Sequence, residues 1–299
     1  MTKKRPAKRD YKKRMGYDEL IQGYKTTGYK LERYGTVKEP FKKKFKYYPL
    51  YKIVINPEGK KTLLITAGFH GEEFNGPISL LKIFDEAAAF AKDLGVRLLV
   101  YICVNPSGFD LRQRYNASNE KFNNDFLRYK IEKDTWVGTL IKTDEPFLRF
   151  KIVDSPAKEV RYLQRDISKY PVPDAVLDVH QQKKNLPMGN VYAYVFNRRP
   201  TYRRIIKEIE KIEGVKIVRN DSWKEIADGR EIDCLIDQDG LYFLHDGSLN
   251  DMFFRLKSKF GVCAETKTTL PLEQVCKVNL IWIKELIKLI ANKTKKKKR

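Results

Sequence analysis

Histidine and cysteine are scarce in this 299-residue chain, and each shortage narrows what it can be. Only three histidines exist, so a site that uses imidazole must draw on His70, His180 or His245. The four cysteines (Cys103, Cys234, Cys263, Cys276) make no CxxC pair and no zinc-finger spacing. Cys103 and Cys263 lie in apolar strand-like runs and read as buried thiols, and a reducing cytoplasm is the expected compartment. No apolar run reaches the roughly 18 residues that a membrane span needs. The opening MTKKRPAKRDYKKR has no apolar segment and is not a secretory signal. GxSxG and GxGxxG are both missing. Gly59-Lys60-Lys61-Thr62 imitates the end of a P-loop, but Val54 stands where its first glycine belongs and no helix is expected after it. Kinase, NTPase and dinucleotide-binding readings fall on these absences.

What is abundant is positive charge: 60 Lys+Arg against 38 Asp+Glu, a net +22. The ends concentrate it. Residues 1–14 carry +7 and 293–299 carry +6, leaving +9 for the interior, an ordinary value for a soluble enzyme. With 42% hydrophobic and 12% aromatic residues the chain can fill a core, so it is not disordered throughout.

The pattern divides into a basic disordered tail (1–14), an N-terminal arm packed on the main domain (15–45) with a helix-like stretch around Asp18–Tyr24, one catalytic domain (46–292) and a second basic tail (293–299). Within the domain, strands are predicted at 63–67, 96–104, 175–180, 191–196, 215–218 and 262–265. Helices are predicted at 77–94, 156–170, 201–212, 248–260 and 271–291. Pro77 suits a first helical turn and Gly95 a helix stop. Val96–Val104 is a nearly continuous apolar run, as a strand covered on both faces requires. This alternation predicts an α/β domain with a largely buried sheet.

His70 lies in Gly68-Phe69-His70-Gly71-Glu72-Glu73, just past a strand, three residues before Glu73, so one tight turn can aim both at a single ion. His180 ends the strand Val176-Leu177-Asp178-Val179-His180, and the carboxyl ends of strands are where open α/β sheets bind ligands. Two imidazoles and one carboxylate are a common protein set for catalytic zinc. Alone, an HxxE spacing is weak.

Order strengthens it. After the His70 block come Asn105-Pro106-Ser107-Gly108-Phe109 with Arg114-Tyr115-Asn116-Ala117, then Phe122-Asn123-Asn124-Asp125-Phe126, then Leu177-Asp178-Val179-His180, then Glu265-Thr266-Lys267-Thr268-Thr269-Leu270-Pro271 before the last helix. In this order the five blocks, over about residues 45–292, resemble the zinc carboxypeptidase family, particularly its succinylglutamate desuccinylase/aspartoacylase-like branch. The resemblance implies a mixed twisted sheet with helices on both faces and one Zn2+ per chain held by His70, Glu73 and His180. It further implies Glu265 as the general base that takes a proton from zinc-bound water, and Arg114 as the oxyanion stabiliser.

Two departures qualify it. Where the family carries Asn-Arg to grip a substrate carboxylate, this chain has Asn123-Asn124, and an amide cannot offer a guanidinium's charged clamp. Either Arg112 or Arg128 supplies the charge from a neighbouring position, or the substrate presents no carboxylate there. Lys121 stands where many members carry an aspartate that orients the first zinc histidine. Asp178, on the same strand face as His180, can serve locally as such a partner, with a backbone oxygen as the alternative. Tyr242 and His245 fall about where the family places substrate contacts. On the residues alone, packing and a loop histidine without a role are the plainer readings. The expected enzyme is therefore a zinc metallohydrolase cutting an amide bond, a metallocarboxypeptidase-like peptidase or a deacylase of N-acyl amino acids. The competing reading is an inactive basic protein on the same scaffold, its lysine-rich tails holding polyanions by counterion release.

Overall fold

The computed structural model describes residues 14–124, 126–142, 144–155, 157–182, 189–197 and 199–291. The basic ends expected as tails, Arg14 apart, and Asp125 lie outside these residues. The segment expected as an arm supplies α1 (Tyr17–Thr26) and β1 (Leu31–Phe41), and β1 is the edge strand of the main sheet, paired antiparallel with β2 (Lys44–Ile55). Helix α1 starts at Gly16, whose N–H donates to Glu19 Oε2 at 2.7 Å. Its apolar face (Tyr17, Leu20, Ile21, Tyr24) is buried.

β3 (Lys61–Ala67), α2 (Asn75–Asp93), β4 (Val96–Tyr101) and α3 (Pro106–Leu111) follow. A small three-stranded sheet of β5 (Leu127–Lys130), β6 (Trp136–Val137) and β7 (Arg149–Ile152) precedes α4 (Lys158–Ile167). The second half runs β8 (Ala175–Gln182), β9 (Val191–Val195), α5 (Arg199–Ile209), β10 (Asp221–Ala227), β11 (Arg230–Ile236) and β12 (Leu241–Tyr242). It closes with α6 (Leu249–Arg255), β13 (Phe260–Lys267) and α7 (Leu272–Ala291).

Ten strands form one mixed sheet in the order β1-β2-β4-β3-β8-β13-β9-β12-β11-β10. At its centre β3, β8 and β13 are parallel neighbours, so their carboxyl ends open on the same edge. Side chains alternate across this sheet. Leu177 and Val179 of β8 enter the core under α2 and α7, whereas Val176 joins the core under α4 and α6. Asp178 and His180 share the Val176 face by the two-residue period of a strand. Helices thus cover both faces, as an almost wholly apolar central strand demands.

Three local predictions differ. Val215–Val218 makes only a single bridge, Val191 to Ile217, because the chain there is already turning toward the β10–β11 hairpin. The helix predicted to Phe260 stops at Arg255. Lys257 adopts φ 71°, and the N–H groups of Lys257 and Ser258 bond back to the carbonyls of Phe254 and Phe253, a Schellman closure that frees Phe260 to start β13. All four cysteines are unpaired, but Cys263 is half-buried beside a cavity rather than in the core.

The α4 face is pinned by a buried ion pair. Lys52 of β2 lies 2.5 Å from Asp166 of α4, which also accepts from Tyr101 Oη and Lys169 Nζ at 2.8 Å. Burial pushes the Asp166 carboxyl up, but these donors outweigh it and hold the group below its ordinary range. A depressed folded-state pKa contributes stability that is present above the unfolded value, about 3.9, and is lost as pH falls through the folded one. Asp166→Ala should cost about 3 kcal/mol at neutral pH by urea unfolding, since it strands a buried lysine. The gap to wild type should narrow below about pH 4; a constant gap would refute the ionic origin.

Candidate active site

The loop after β3 makes the first half of the site. Gly68 takes φ 70°, and a Cβ at Gly71 would lie 1.9 Å from the Gly108 carbonyl carbon, so the His70 turn presses on α3 in a way only glycine permits. Asn105 ties the two segments together. Its Oδ1 accepts from Gly108 N at 2.9 Å, and its Nδ2 donates to the carbonyls of Phe69 and Arg114 at 3.2 and 3.3 Å. Gly71 N also donates to the Arg114 carbonyl, so the backbones bearing His70 and Arg114 move as one piece.

Glu73 is the centre. Its Oε1 lies 2.7 Å from His70 Nδ1, and its Oε2 lies 2.9 Å from both His180 Nδ1 and Gln181 N. All three side chains are buried, and one ligand atom from each lies within 4.8 Å of the others. Burial alone would raise the Glu73 carboxyl, but the two imidazoles hold it well below the usual carboxylate range. Burial lowers His70, whereas Asp178 and Glu73 overcome burial at His180 and raise it well above the ordinary histidine value. His180 Nε2 faces Asp178 Oδ2 at 2.9 Å, and Asp178 Oδ1 in turn accepts from Thr66 at 2.8 Å. Asp178 therefore orients the second histidine, not the first. With Nε2–H fixed on Asp178, the lone pair of Nδ1 is directed at the point shared with His70 and Glu73. Two Nδ1 atoms and a carboxylate facing one point suit a borderline cation such as zinc. Asp178, His180 and Cys263 form an overlapping set, but burial and neighbouring carboxylates raise the Cys263 thiol well above its ordinary value and disfavour a thiolate ligand.

Glu265 of β13 is the register partner of His180, which brings it to the same sheet edge. It is 8% exposed, its Oε2 has no hydrogen-bond partner, and burial pushes its carboxyl up to about 8 in the absence of a cation. The half-exposed Arg114 guanidinium reaches within 3.8 Å of Glu73. Asn123 and Asn124 line the same cavity of about 250 Å3.

Three candidates do not reach it. Arg112, in a left-handed conformation, donates to the Met15 carbonyl and stacks over Phe74 and Phe109, so it fastens the start of the chain. Tyr242 packs against Tyr194 with ring centroids 4.3 Å apart. His245 is buried with Nδ1 2.8 Å from Asp251, in a network that includes Tyr129 and holds the following loop. Arg128 does come near Asn124, donating to its carbonyl at 2.9 Å, and with Lys121 it lines an outer cleft that shares His70 and Arg114.

The far wall belongs to residues the sequence reading passed over. The Asn124 amide donates to both the carbonyl and Oδ2 of Asp246 at 3.0 Å, and Asp246 lines the cavity with Ser248, Cys263 and, from the β10–β11 hairpin, Glu225 and Ile232. Burial pushes the Asp246 carboxyl up to about 6, with Asp251 adding to the effect. The hairpin tip is fixed because Asp228 accepts from the N–H groups of Gly138 and Thr139 at 2.7 and 3.0 Å. A clue existed for Cys263, two residues before Glu265 on one strand face. None existed for Glu225, which alternates as any exposed hairpin does.

Solved structures share this arrangement of elements. A candidate metallopeptidase from Shewanella denitrificans superposes with a TM-score of 0.61 at 20% identity, covering 92% of this chain and 89% of that one. A metallo-carboxypeptidase from Burkholderia cenocepacia gives 0.59 at 12% identity, with 90% and 68% covered. Bovine thrombin-activatable fibrinolysis inhibitor gives 0.57 at 13%, with 92% and 97% covered. At such identities the likeness establishes the fold, a carboxypeptidase-like mixed α/β sheet. Among curated proteins no sequence match was found. Residues 59–213, more than half of the chain, match the succinylglutamate desuccinylase/aspartoacylase catalytic domain, and the chain belongs to that family of hydrolase type.

Proposed function

We propose that the protein is a zinc-dependent amide hydrolase of metallopeptidase type. The observation that carries this reading is the meeting of His70 Nδ1 and His180 Nδ1 on one buried carboxylate, Glu73, with Glu265 in register beside His180. His70, Glu73 and His180 would hold the zinc, which when bound would supply Lewis acidity and make a nearby water easier to deprotonate. Glu265, buried and lacking a partner on Oε2, receives the proton of the attacking water and delivers it to the leaving nitrogen. Arg114, close to Glu73 yet open to the cleft, holds the oxygen on which negative charge develops. Asp178 keeps the His180 ring turned to its work.

The leaving-group side of the cavity favours a substrate with a cationic or neutral head. Of the described residues lining it, Arg114 alone bears a fixed positive charge, against Glu225 and Asp246 beyond the candidate metal centre. Where a carboxylate clamp would need a guanidinium, Asn124 spends its amide on Asp246. A carboxylate seated there would meet another carboxylate. The second reading, deacylation of an anionic N-acyl amino acid, is favoured by the family match and by Arg128 and Lys121 in the outer cleft. A cavity of about 250 Å3 accommodates one amino-acid-sized moiety in either case.

Purified protein should contain about one zinc per chain, absent from a His70→Ala, Glu73→Ala variant. Asp178→Asn should retain the fold and weaken zinc affinity by about 10–100-fold in a chelator competition. Wild type without metal after zinc loading would end the hydrolase reading. Glu265→Gln should keep its zinc and lose about 10²–10⁴ in kcat; full activity in that variant would remove Glu265 from the chemistry. C-terminally amidated peptides should be cut faster than the same peptides with a free C-terminal carboxylate, and Asp246→Asn should erase about 10-fold of that preference. Faster cleavage of N-acetyl-Asp or N-succinyl-Glu than of any peptide would establish the deacylase instead.

A further inference from the structure

Away from the histidines, three carboxylates converge on the flank of the molecule. Glu39 comes from β1, Glu120 from the loop after α3, and Glu159 from the first turn of α4. Their oxygens lie within 4.8 Å of one another. Glu39 is 4% exposed and Glu159 is fully buried. Ser118 Oγ donates to Glu39 at 2.7 Å, and Asn116 Nδ2 donates to Glu120 at 2.8 Å. Neither oxygen of Glu159 has a well-formed hydrogen bond, and its own backbone N–H and the Asn116 side chain, the latter committed to Glu120, only partly offset its burial. Among the described residues no lysine or arginine pairs with any of the three.

Three negative charges packed so closely, two of them on buried residues, cannot stand uncompensated. Two remedies exist, a proton or a cation. Burial, reinforced by Glu39 and Glu120, pushes the Glu159 carboxyl up to about 8 when no cation is present, so the empty cluster would carry a proton at neutral pH. The donors favour the second remedy. All are oxygens: three carboxylates, with the Ser118 hydroxyl beside Glu39. Oxygens about 2.4 Å from one ion on opposite sides of it are about 4.8 Å apart, so the three carboxylates fit a single calcium-sized sphere. No imidazole or thiolate takes part, which disfavours zinc and copper.

We propose that Glu39, Glu120 and Glu159 form a binding site for a hard divalent cation of the calcium type, separate from the candidate zinc centre. Such an ion links β1, α4 and the 112–126 loop, three segments otherwise distant in the chain. That loop carries Arg114 on one side of Glu120 and Asn123 and Asn124 on the other. An ion at Glu120 braces the loop in the position where it faces the His70 turn.

The test uses the full-length protein stripped with a chelator, then titrated with calcium chloride while the thermal midpoint is followed. Calcium should raise the midpoint saturably, by about 5 °C at a hundredfold excess over Kd. Equilibrium dialysis should find the ion bound. Glu159→Gln should abolish the rise, yet in the absence of calcium be about as stable as wild type, because a neutral amide replaces a carboxyl that carries a proton when no cation is bound. Glu39→Gln serves as the second variant should Glu159→Gln fail to fold. The His70→Ala, Glu73→Ala protein should keep the full calcium response, which separates this site from the hydrolase reading. No shift in wild type up to about 10 mM calcium, or an undiminished shift in both glutamine variants, overturns the proposal and leaves a protonated cluster.

Discussion

The Glu73 carboxylate stands between two imidazoles, with each oxygen assigned to one ring, and the surrounding structure keeps it there. Charged groups this deep persist only when every lone pair is answered, so the neighbours have little freedom. Gln181 N must lie at the end of β8 to share Oε2, which fixes how far that strand runs. Asp178 must sit two residues earlier on the same face to take the other side of His180. Thr66, one strand over, must hold Asp178 in turn. The parallel pairing of β3 with β8 is thus written into the polar chemistry of the sheet edge as well as its apolar core.

Much of this could be read in advance because it is local. His70 and Glu73 are one turn apart, His180 closes an apolar run, and Glu265 closes another before a helix; each statement needs only a few adjacent residues. The central α/β alternation was legible for the same reason, since fully buried strands are short apolar runs whatever lies next to them. What escaped depends on pairing between distant segments. β1 and β2 alternate lysine, tyrosine and aliphatic residues, a pattern that reads as surface until an edge position explains it. The β10–β11 hairpin exposes much of its length, and only its tip, caught by the Gly138–Thr139 backbone, shows why Glu225 faces a cavity. In Phe243–Gly247 attention falls on His245, the scarcer residue. Yet His245 answers Asp251 inside the protein, and its neighbour Asp246 faces the pocket.

The charge distribution separates the molecule's surface from its interior. The chain carries +22, much of it at the two ends, while the far wall of the candidate active-site cavity is acidic. These opposite signs act over different ranges. Exposed lysines act through solvent, and their field fades within a Debye length of about 8 Å at physiological salt. Asp246, lining a partly desolvated cavity, acts at contact distance on whatever enters. A basic surface can therefore raise the local concentration of polyanions without making the pocket hospitable to anions.

The Asn124–Asp246 pair lies apart from the strands that carry the candidate metal ligands. The candidate metal ligands and Glu265 depend on the parallel strands β3, β8 and β13, and displacing one would break a chain of buried hydrogen bonds. Asn124 and Asp246 sit on loops outside that sheet edge, each constrained by a few contacts. An arginine in place of Asn124 would meet Asp246 directly and form an ion pair within the pocket, leaving less positive charge for a substrate carboxylate. Restoring an anion clamp would therefore require both positions to change together. With the present pair, the amide satisfies one face of the carboxylate and leaves Asp246 as the dominant charge on that wall. On the proposed reading, the charge that a substrate meets is set by loop residues, while the candidate metal ligands rest on strands that cannot shift independently.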